Sequence, residues 1–522
     1  MIKHKTAILD IGSNTIRLVI YSYDEKRGLR EFENIKTVAR LRTFIQSNGD
    51  MSEEGIELLL ETLKSFRQML KDYDVQEVLA TATAAIRQAS NQQEIIQRMK
   101  QETGIEIDVL TEEEEAYFGF VAVVHSVPTE SAVTIDIGGG STEITYFKDK
   151  KLQYTHSFPF GVVSLQQQFM PGNHMTSVER EQLALFTEAQ FRSLPWLNGL
   201  ELPVIGIGGS ARNIASIDQQ RKEYPIASIH QYKMNVRDVF TLSDTLSDLS
   251  IQELRKIEGL SSDRADIILP ALEVFRALMK VVKAEEFMFS GKGLREGIML
   301  NKILHRNPEA LNKHQVFKHS CETLAAEYEI NLHEADHLQF LARKIYLECV
   351  KNRLIEQSSA NLQLLERAAS LFYLGEYIDA DSASQHTFYI LSNRSIDGLE
   401  HLDRLKLALV ASYKNKDTFK GYAAPFEQWI EKDELKQLRD LGAILKFAYG
   451  LNGSKRSIVD DVAIEPVKEG IRMKIFVSGN AMAEEYQANK QKKHLERLCK
   501  CEVNLQFLVK DGDTHDGDTR VI

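Results

Sequence analysis

Thr134-Ile135-Asp136-Ile137-Gly138-Gly139-Gly140-Ser141-Thr142-Glu143-Ile144-Thr145 is the stretch whose reading decides the fold. An apolar, β-branched run leads into one aspartate. Three glycines and a Ser-Thr pair follow, then a second alternating run. The pattern predicts a strand, a tight turn and a returning strand. Glycines lack a Cβ, so such a turn can aim backbone N–H groups at a phosphate. Asp136 at the strand end is placed to hold a divalent cation. Taken alone, the stretch is a weak signal and is better explained as a plain turn.

A second copy changes the reading. Residues 8–20 run Ile-Leu-Asp-Ile-Gly-Ser-Asn-Thr-Ile-Arg-Leu-Val-Ile, so that Asp10-Ile11-Gly12-Ser13 repeats Asp136-Ile137-Gly138-Gly139. The spacing is too long for a solenoid period. It predicts two similar α/β domains, each offering one hairpin to a shared cleft. A third glycine loop, Val204-Ile205-Gly206-Ile207-Gly208-Gly209-Ser210-Ala211-Arg212, also follows a strand-like run.

Composition narrows the class. The chain has 522 residues, 43% of them hydrophobic, which implies three or four domains of ordinary globular character. No run approaches the ~20 apolar residues of a membrane span, and the N-terminus has no signal-peptide pattern. The four cysteines read as structural thiols in a reducing compartment. The net charge of −11 argues against a general nucleic-acid binder, which needs a basic surface. A phosphate ligand would be held by backbone amides, a metal and local basic groups.

Further along, Ser52 is expected to cap a helix that buries Ile56, Leu59, Leu60, Leu63, Phe66 and Leu70. A strand is expected at 77–83 and another at 105–110. Thr111 and Glu114 have the spacing of a capping box, which occupies Glu114 and leaves Glu115 free to point elsewhere. From about 310 to 450 the chain reads as helical. Residues 456–509 read as a small α/β module whose helix carries Lys490, Lys492, Lys493, His494, Arg497 and Lys500. That run is a solvated face or a guide for a linear polyanion.

The motifs in order are Asp-Ile-Gly-Ser-Asn at 10–14, Ala-Thr-Ala-Ala-Ile-Arg at 82–87, Glu-Glu-Ala at 114–116 and Asp-Ile-Gly-Gly-Gly-Ser-Thr-Glu at 136–143, then Gly-Gly-Ser-Ala-Arg at 208–212 and Ser-Gly-Lys-Gly-Leu-Arg-Glu-Gly at 290–297. Together they resemble the exopolyphosphatase and guanosine pentaphosphate phosphatase family, within the actin-like ATPase superfamily. The resemblance covers roughly the first 300 residues and extends to the long multidomain members. It implies an α/β fold with two actin-like (ribonuclease H-like) domains around a cleft, at 1–127 and 128–305. A helical HD-like domain would follow at 306–450 and a small α/β domain at 451–510. The tail 511–522 has the composition of disorder.

The implied activity is hydrolysis of terminal phosphate from inorganic polyphosphate. Guanosine pentaphosphate 5′-phosphohydrolysis is the alternative, and a non-hydrolysing actin-like nucleotide binder is a third reading. A cytoplasmic homodimer is implied, binding neither nucleic acid nor membrane. The second glutamate of the family's Glu-Glu-Ala is the base, here Glu115. Asp136 and Arg87 join it as catalytic candidates, although Arg87 by itself reads as a surface arginine. Phosphate contacts are implied for Ser13, Asn14, Arg17, Gly138, Gly139, Gly140, Ser141, Gly208, Gly209, Ser210 and Arg295; Arg295 and Lys292 face the cleft or a surface loop. Asp136, Glu143 and Asp10 are the metal candidates, for Mg²⁺ with Mn²⁺ also open. Two departures stand out. Glu112 and Glu113 occupy positions where the family carries a glycine, and Phe372-Tyr373 replaces the HD metal pair, with His386 retained.

Overall fold

The computed structural model describes residues 4–24, 28–468, 470–509 and 520–521. Two compact units emerge. One comprises 1–319 together with 397–400, the other 320–396 and 401–522.

The first unit holds two sheets with matching topology. In the first, β1 (Lys5–Ile11), β2 (Thr15–Asp24), β3 (Gly28–Val38), β4 (Glu77–Ala82) and β5 (Ile107–Val109) lie in the order β3-β2-β1-β4-β5. β1 and β2 are antiparallel, whereas β4 joins β1 in parallel. The second sheet comprises β6 (Ala132–Ile137), β7 (Thr142–Lys148), β8 (Lys151–Phe158), β9 (Val204–Ile207), β10 (Lys233–Asn235) and β11 (Glu286–Phe289). Its order is β10-β11-β9-β6-β7-β8, again with an antiparallel hairpin, β6–β7, and a parallel neighbour, β9, on its other side. The repeat seen in the residues is thus a repeat of architecture: hairpin, third antiparallel strand, then parallel crossovers through helices.

Local rules explain the flanking helices. The Glu53–Asp72 helix starts where the Ser52 hydroxyl accepts the Gly55 N–H, and it buries the six apolar residues expected of it. The Glu112–Val124 helix begins with the full Thr111/Glu114 capping box. Residues 105–110 contribute only the three-residue β5, which pairs with Ala80–Ala82 at the edge of the sheet, and a short edge strand leaves few unpaired backbone groups. Arg87 closes a single turn, Ala84–Arg87.

The second unit is helical as far as Gly450 and then forms a small sheet. Strands β12 (Val459–Val467), β13 (Gly470–Val477), β14 (Val503–Val509) and β15 (Arg520–Val521) lie in that order, with the Met482–Cys499 helix between β13 and β14. His494 departs from the expected solvated face. It is buried, and burial pushes its pKa down to about 4. Phe372 and Tyr373 stack with ring centroids 4.1 Å apart, and the Lys446 ammonium lies 4.4 Å from the Tyr373 centroid. Aromatic packing and cation–π contact therefore account for Phe372 and Tyr373, the pair read at the HD-like motif position. Of the tail expected to be disordered, 511–519 and 522 lie outside the described residues, while Arg520–Val521 pair antiparallel with β14.

Candidate active site

The two hairpins meet in the first unit. Their turns close in the same way: Gly12 N–H donates to Thr15 O at 3.0 Å, and Gly138 N–H to Ser141 O at 2.9 Å. A Cβ on Gly139 would lie 2.8 Å from the Ser13 Cβ, closer than two carbons can pack, so only glycine lets the turns touch. No hydrogen bond among the described residues uses the N–H groups of Ser13, Asn14, Gly139 or Gly140. Four unspent donors at two abutting turns are groups that an anion could satisfy.

The third glycine loop has a different form. The helix Gly208–Arg221 starts directly on it, so Gly208, Gly209 and Ser210 supply a helix N-terminus and not a hairpin. Gly208 sits at φ +80°, and a Cβ there would be 2.5 Å from Asp136 Oδ1. Left-handed backbone and close approach both demand glycine. Asp136 is thereby set against the positive end of a helix.

These elements enclose a cavity of about 430 Å³. Of the expected residues, Asp10, Ser13, Asn14, Arg17, Glu115, Asp136, Gly138, Gly139, Ser141, Glu143, Gly208, Gly209 and Arg295 line it. Gly140, Ser210 and Arg87 do not. Gly140 packs against Ser13, and Ser210 accepts a 3.4 Å bond from Arg264. Arg87 stands behind Glu115, donating to its Oε2 at 3.0 Å and to Leu110 O at 2.9 Å.

Four of the carboxylates that line the cavity resist ionisation. Burial pushes Glu115 up to about 7 against the opposing charge of Arg87. Burial, then the charge of Asp10, takes Asp136 up to about 6. Glu143 is pushed well above its usual range by burial and by Glu115. Asp10 is also raised by burial, with Arg295, 3.4 Å away, pulling the other way. Buried, mutually repelling oxygen donors suit a small hard cation. Among the described residues no three acidic or histidine groups converge on one point. The donor set therefore fits an ion that takes one or two carboxylates and keeps several waters, rather than a closed cage of Asp10, Asp136 and Glu143.

Basic groups face the acids. Sequence reading named Arg17 and Arg295 but passed over Arg264, which lies in no glycine motif. The Arg264 guanidinium packs so tightly on Gly209 that a Cβ there would collide with it. Arg212 closes the Gly-Gly-Ser-Ala-Arg motif and also lines the cavity, as does Lys36. Burial lowers the pKa of Arg264, Arg212 and Arg17, and the like charge of Arg295 presses further on the last two. The side-chain N–H groups Asn14 Nδ2 and Arg295 Nε are buried without a partner. Cationic and N–H donors in surplus are what a bound polyanion would satisfy.

The Ppx/GppA phosphatase family profile matches residues 19–306, and the profile of Ppx/GppA phosphatase domain III matches 316–495. The chain belongs to the Ppx/GppA phosphatase family. A Vibrio cholerae guanosine-5′-triphosphate,3′-diphosphate pyrophosphatase is 23% identical over 421 residues, 79% of this chain and 81% of that one. Exopolyphosphatase 1 of Mycobacterium bovis is 25% identical over 324 residues, 57% of this chain and 88% of its own. Among solved structures, the Aquifex aeolicus member of the Ppx/GppA family superposes with a TM-score of 0.52 at 27% identity, covering 58% of this chain and 99% of that chain. A Cytophaga hutchinsonii exopolyphosphatase gives 0.54 at 27% identity, over 57% and 98%. This Ppx/GppA chain is a phosphatase with an actin-like α/β front half, a domain III and a small C-terminal sheet. No described helix is long and apolar enough to cross a membrane.

Proposed function

We propose that the chain is an exopolyphosphatase that releases orthophosphate from the end of inorganic polyphosphate. The observation that carries this reading is the pair of abutting hairpins, whose turns line one cavity together with the buried Glu115 and several arginines. The terminal phosphoryl group would seat on the N–H groups of Ser13, Asn14 and Gly139, with Ser141 adding a hydroxyl. Arg17, Arg264 and Arg295 would take the following phosphates.

Glu115 would orient the attacking water and accept its proton as the oxygen–phosphorus bond forms. The anhydride bond then breaks, and the shortened chain leaves with its electron pair. A base with a pKa near 7 suits that task at neutral pH. Arg87 contacts Glu115 and lies off the cavity, so its part is to aim that carboxylate and hold it in readiness. Asp136 and Glu143 would hold Mg²⁺ or Mn²⁺, directly or through water. When bound, the ion would neutralise charge building on the phosphoryl oxygens.

Guanosine pentaphosphate is the second substrate to test, because the Vibrio relative named for a guanosine nucleotide aligns over more of the chain than the exopolyphosphatase does. The test is phosphate release with Mg²⁺ from long-chain polyphosphate and from guanosine pentaphosphate in parallel. Faster release from polyphosphate, reduced about 10²-fold or more in Glu115→Gln, is expected. Faster release from the nucleotide would overturn the substrate. Undiminished turnover in Glu115→Gln would remove it as the base.

A further inference from the structure

The loop Ser290-Gly291-Lys292-Gly293 lines the cavity beside Arg295, yet its backbone differs from that of the hairpins. All four amides are spent on the protein. Ser290 N–H donates to Gly206 O at 2.9 Å, and Lys292 N–H to Ser290 Oγ at 3.2 Å. Gly293 N–H donates to Glu296 Oε2 at 2.9 Å, capping the helix Leu294–Arg306. Gly291 N–H donates to His230 Nδ1 at 2.9 Å. This loop therefore serves substrate through the side chains it aims, Lys292 and Arg295, and its shape is what matters.

His230 is buried at the start of the segment that leads into β10. Because its Nδ1 accepts a hydrogen bond, its proton sits on Nε2. Nε2 lies 3.1 Å from Asp397 Oδ1. The Gln231 side-chain amide donates to Ser126 O at 3.0 Å and packs beside the ring. Asp397 belongs to the tetrapeptide 397–400, which comes from far along the chain but forms part of the first unit. Two more bonds pin it there. Gly398 N–H donates to Ser126 O at 2.7 Å, and Glu400 lies 2.9 Å from the Lys233 ammonium.

We propose that His230, braced by Asp397, is a positioning residue: it holds the Gly291 amide, and so sets the loop that carries Lys292 and leads into Arg295 at the cavity wall. The inference rests on the proposed phosphatase reading, since the loop's purpose is to hold substrate phosphates.

The test pairs hydrogen exchange of the 290–293 segment with steady-state kinetics on polyphosphate. His230→Leu removes the acceptor and His230→Asn keeps one at the position of Nδ1. In His230→Leu, Gly291 should lose its exchange protection and KM should rise about tenfold while kcat changes less than threefold. His230→Asn should restore both. Asp397→Asn, the milder variant, should shift KM the same way by a smaller factor. Unchanged protection and KM in His230→Leu would overturn the proposal. So would a lower melting temperature with both left intact, because that is packing alone. If the wild-type chain releases no phosphate, the functional reading fails, and exchange at Gly291 still judges the positioning contact.

Discussion

The hairpins β1–β2 and β6–β7 share a motif, a turn and a place in their sheets, yet their aspartates differ. Across the strand pair, Asp10 stands opposite Arg17, whereas Asp136 stands opposite Glu143. Asp10 also has Arg295 at 3.4 Å. Among the described residues Asp136 has no side-chain hydrogen-bond or ion-pair partner, and it faces a helix N-terminus and the charge of Asp10. One copy of the repeat has become a charge-balanced brace. The other has been left with a like-charge pair that a cation would stabilise. Opposite charges directly across a strand pair favour folding and like charges oppose it, so the second hairpin carries a destabilising pair that the first does not.

Substitutions can break or sharpen this contrast. The largest difference is expected in turnover. Asp136→Asn should lose about 10²-fold at ordinary Mg²⁺, and Asp10→Asn less than tenfold, both read as phosphate release. Comparable losses would erase the distinction.

The glycines should differ next. Gly139→Ala forces a carbon to within 2.8 Å of Ser13 and should cost about 1–3 kcal/mol in chemical unfolding, as overpacked sites do. Gly12→Ala meets only the Thr15 carbonyl oxygen at 3.0 Å and should cost less.

The smallest effect is one of pH and stability, measured in chelator. The folded pKa of Asp136, about 6, is above its usual 3.8. Between those values the folded chain binds more protons than the unfolded one, so this group's contribution falls as pH rises through that window. Asp136→Asn should melt higher than the parent at pH 8, with the gap closing towards pH 4. In Asp10→Asn, relief of repulsion is offset by a stranded Arg295, and stability should stay within about 1 kcal/mol of the parent.

Much of this was legible in the residues because it is local. Glycines after a β-branched run announce the hairpins, and Thr111 with Glu114 announces the cap that frees Glu115. The contrast between Arg17 and Glu143 was also in view, each seven positions beyond its aspartate. What the sequence hid depends on distant packing. Arg264 reaches the cavity only because Gly209 has no side chain. His230 matters only because residues 291 and 397 converge on it. The stretch at Gly208 read only as a third glycine loop, because a strand followed by glycines precedes a hairpin and a helix alike. Arg87 carried the right motif, but its contact with Glu115 needed coordinates.

The most direct test of the central contrast is a Mg²⁺ titration of phosphate release by the wild type, Asp136→Asn and Asp10→Asn. If the second hairpin holds the ion, Asp136→Asn should need about tenfold more Mg²⁺ or higher for half-maximal rate, and Asp10→Asn should stay within about threefold of wild type. Equal shifts, or a larger one for Asp10→Asn, would contradict the account and move the cation to the first hairpin.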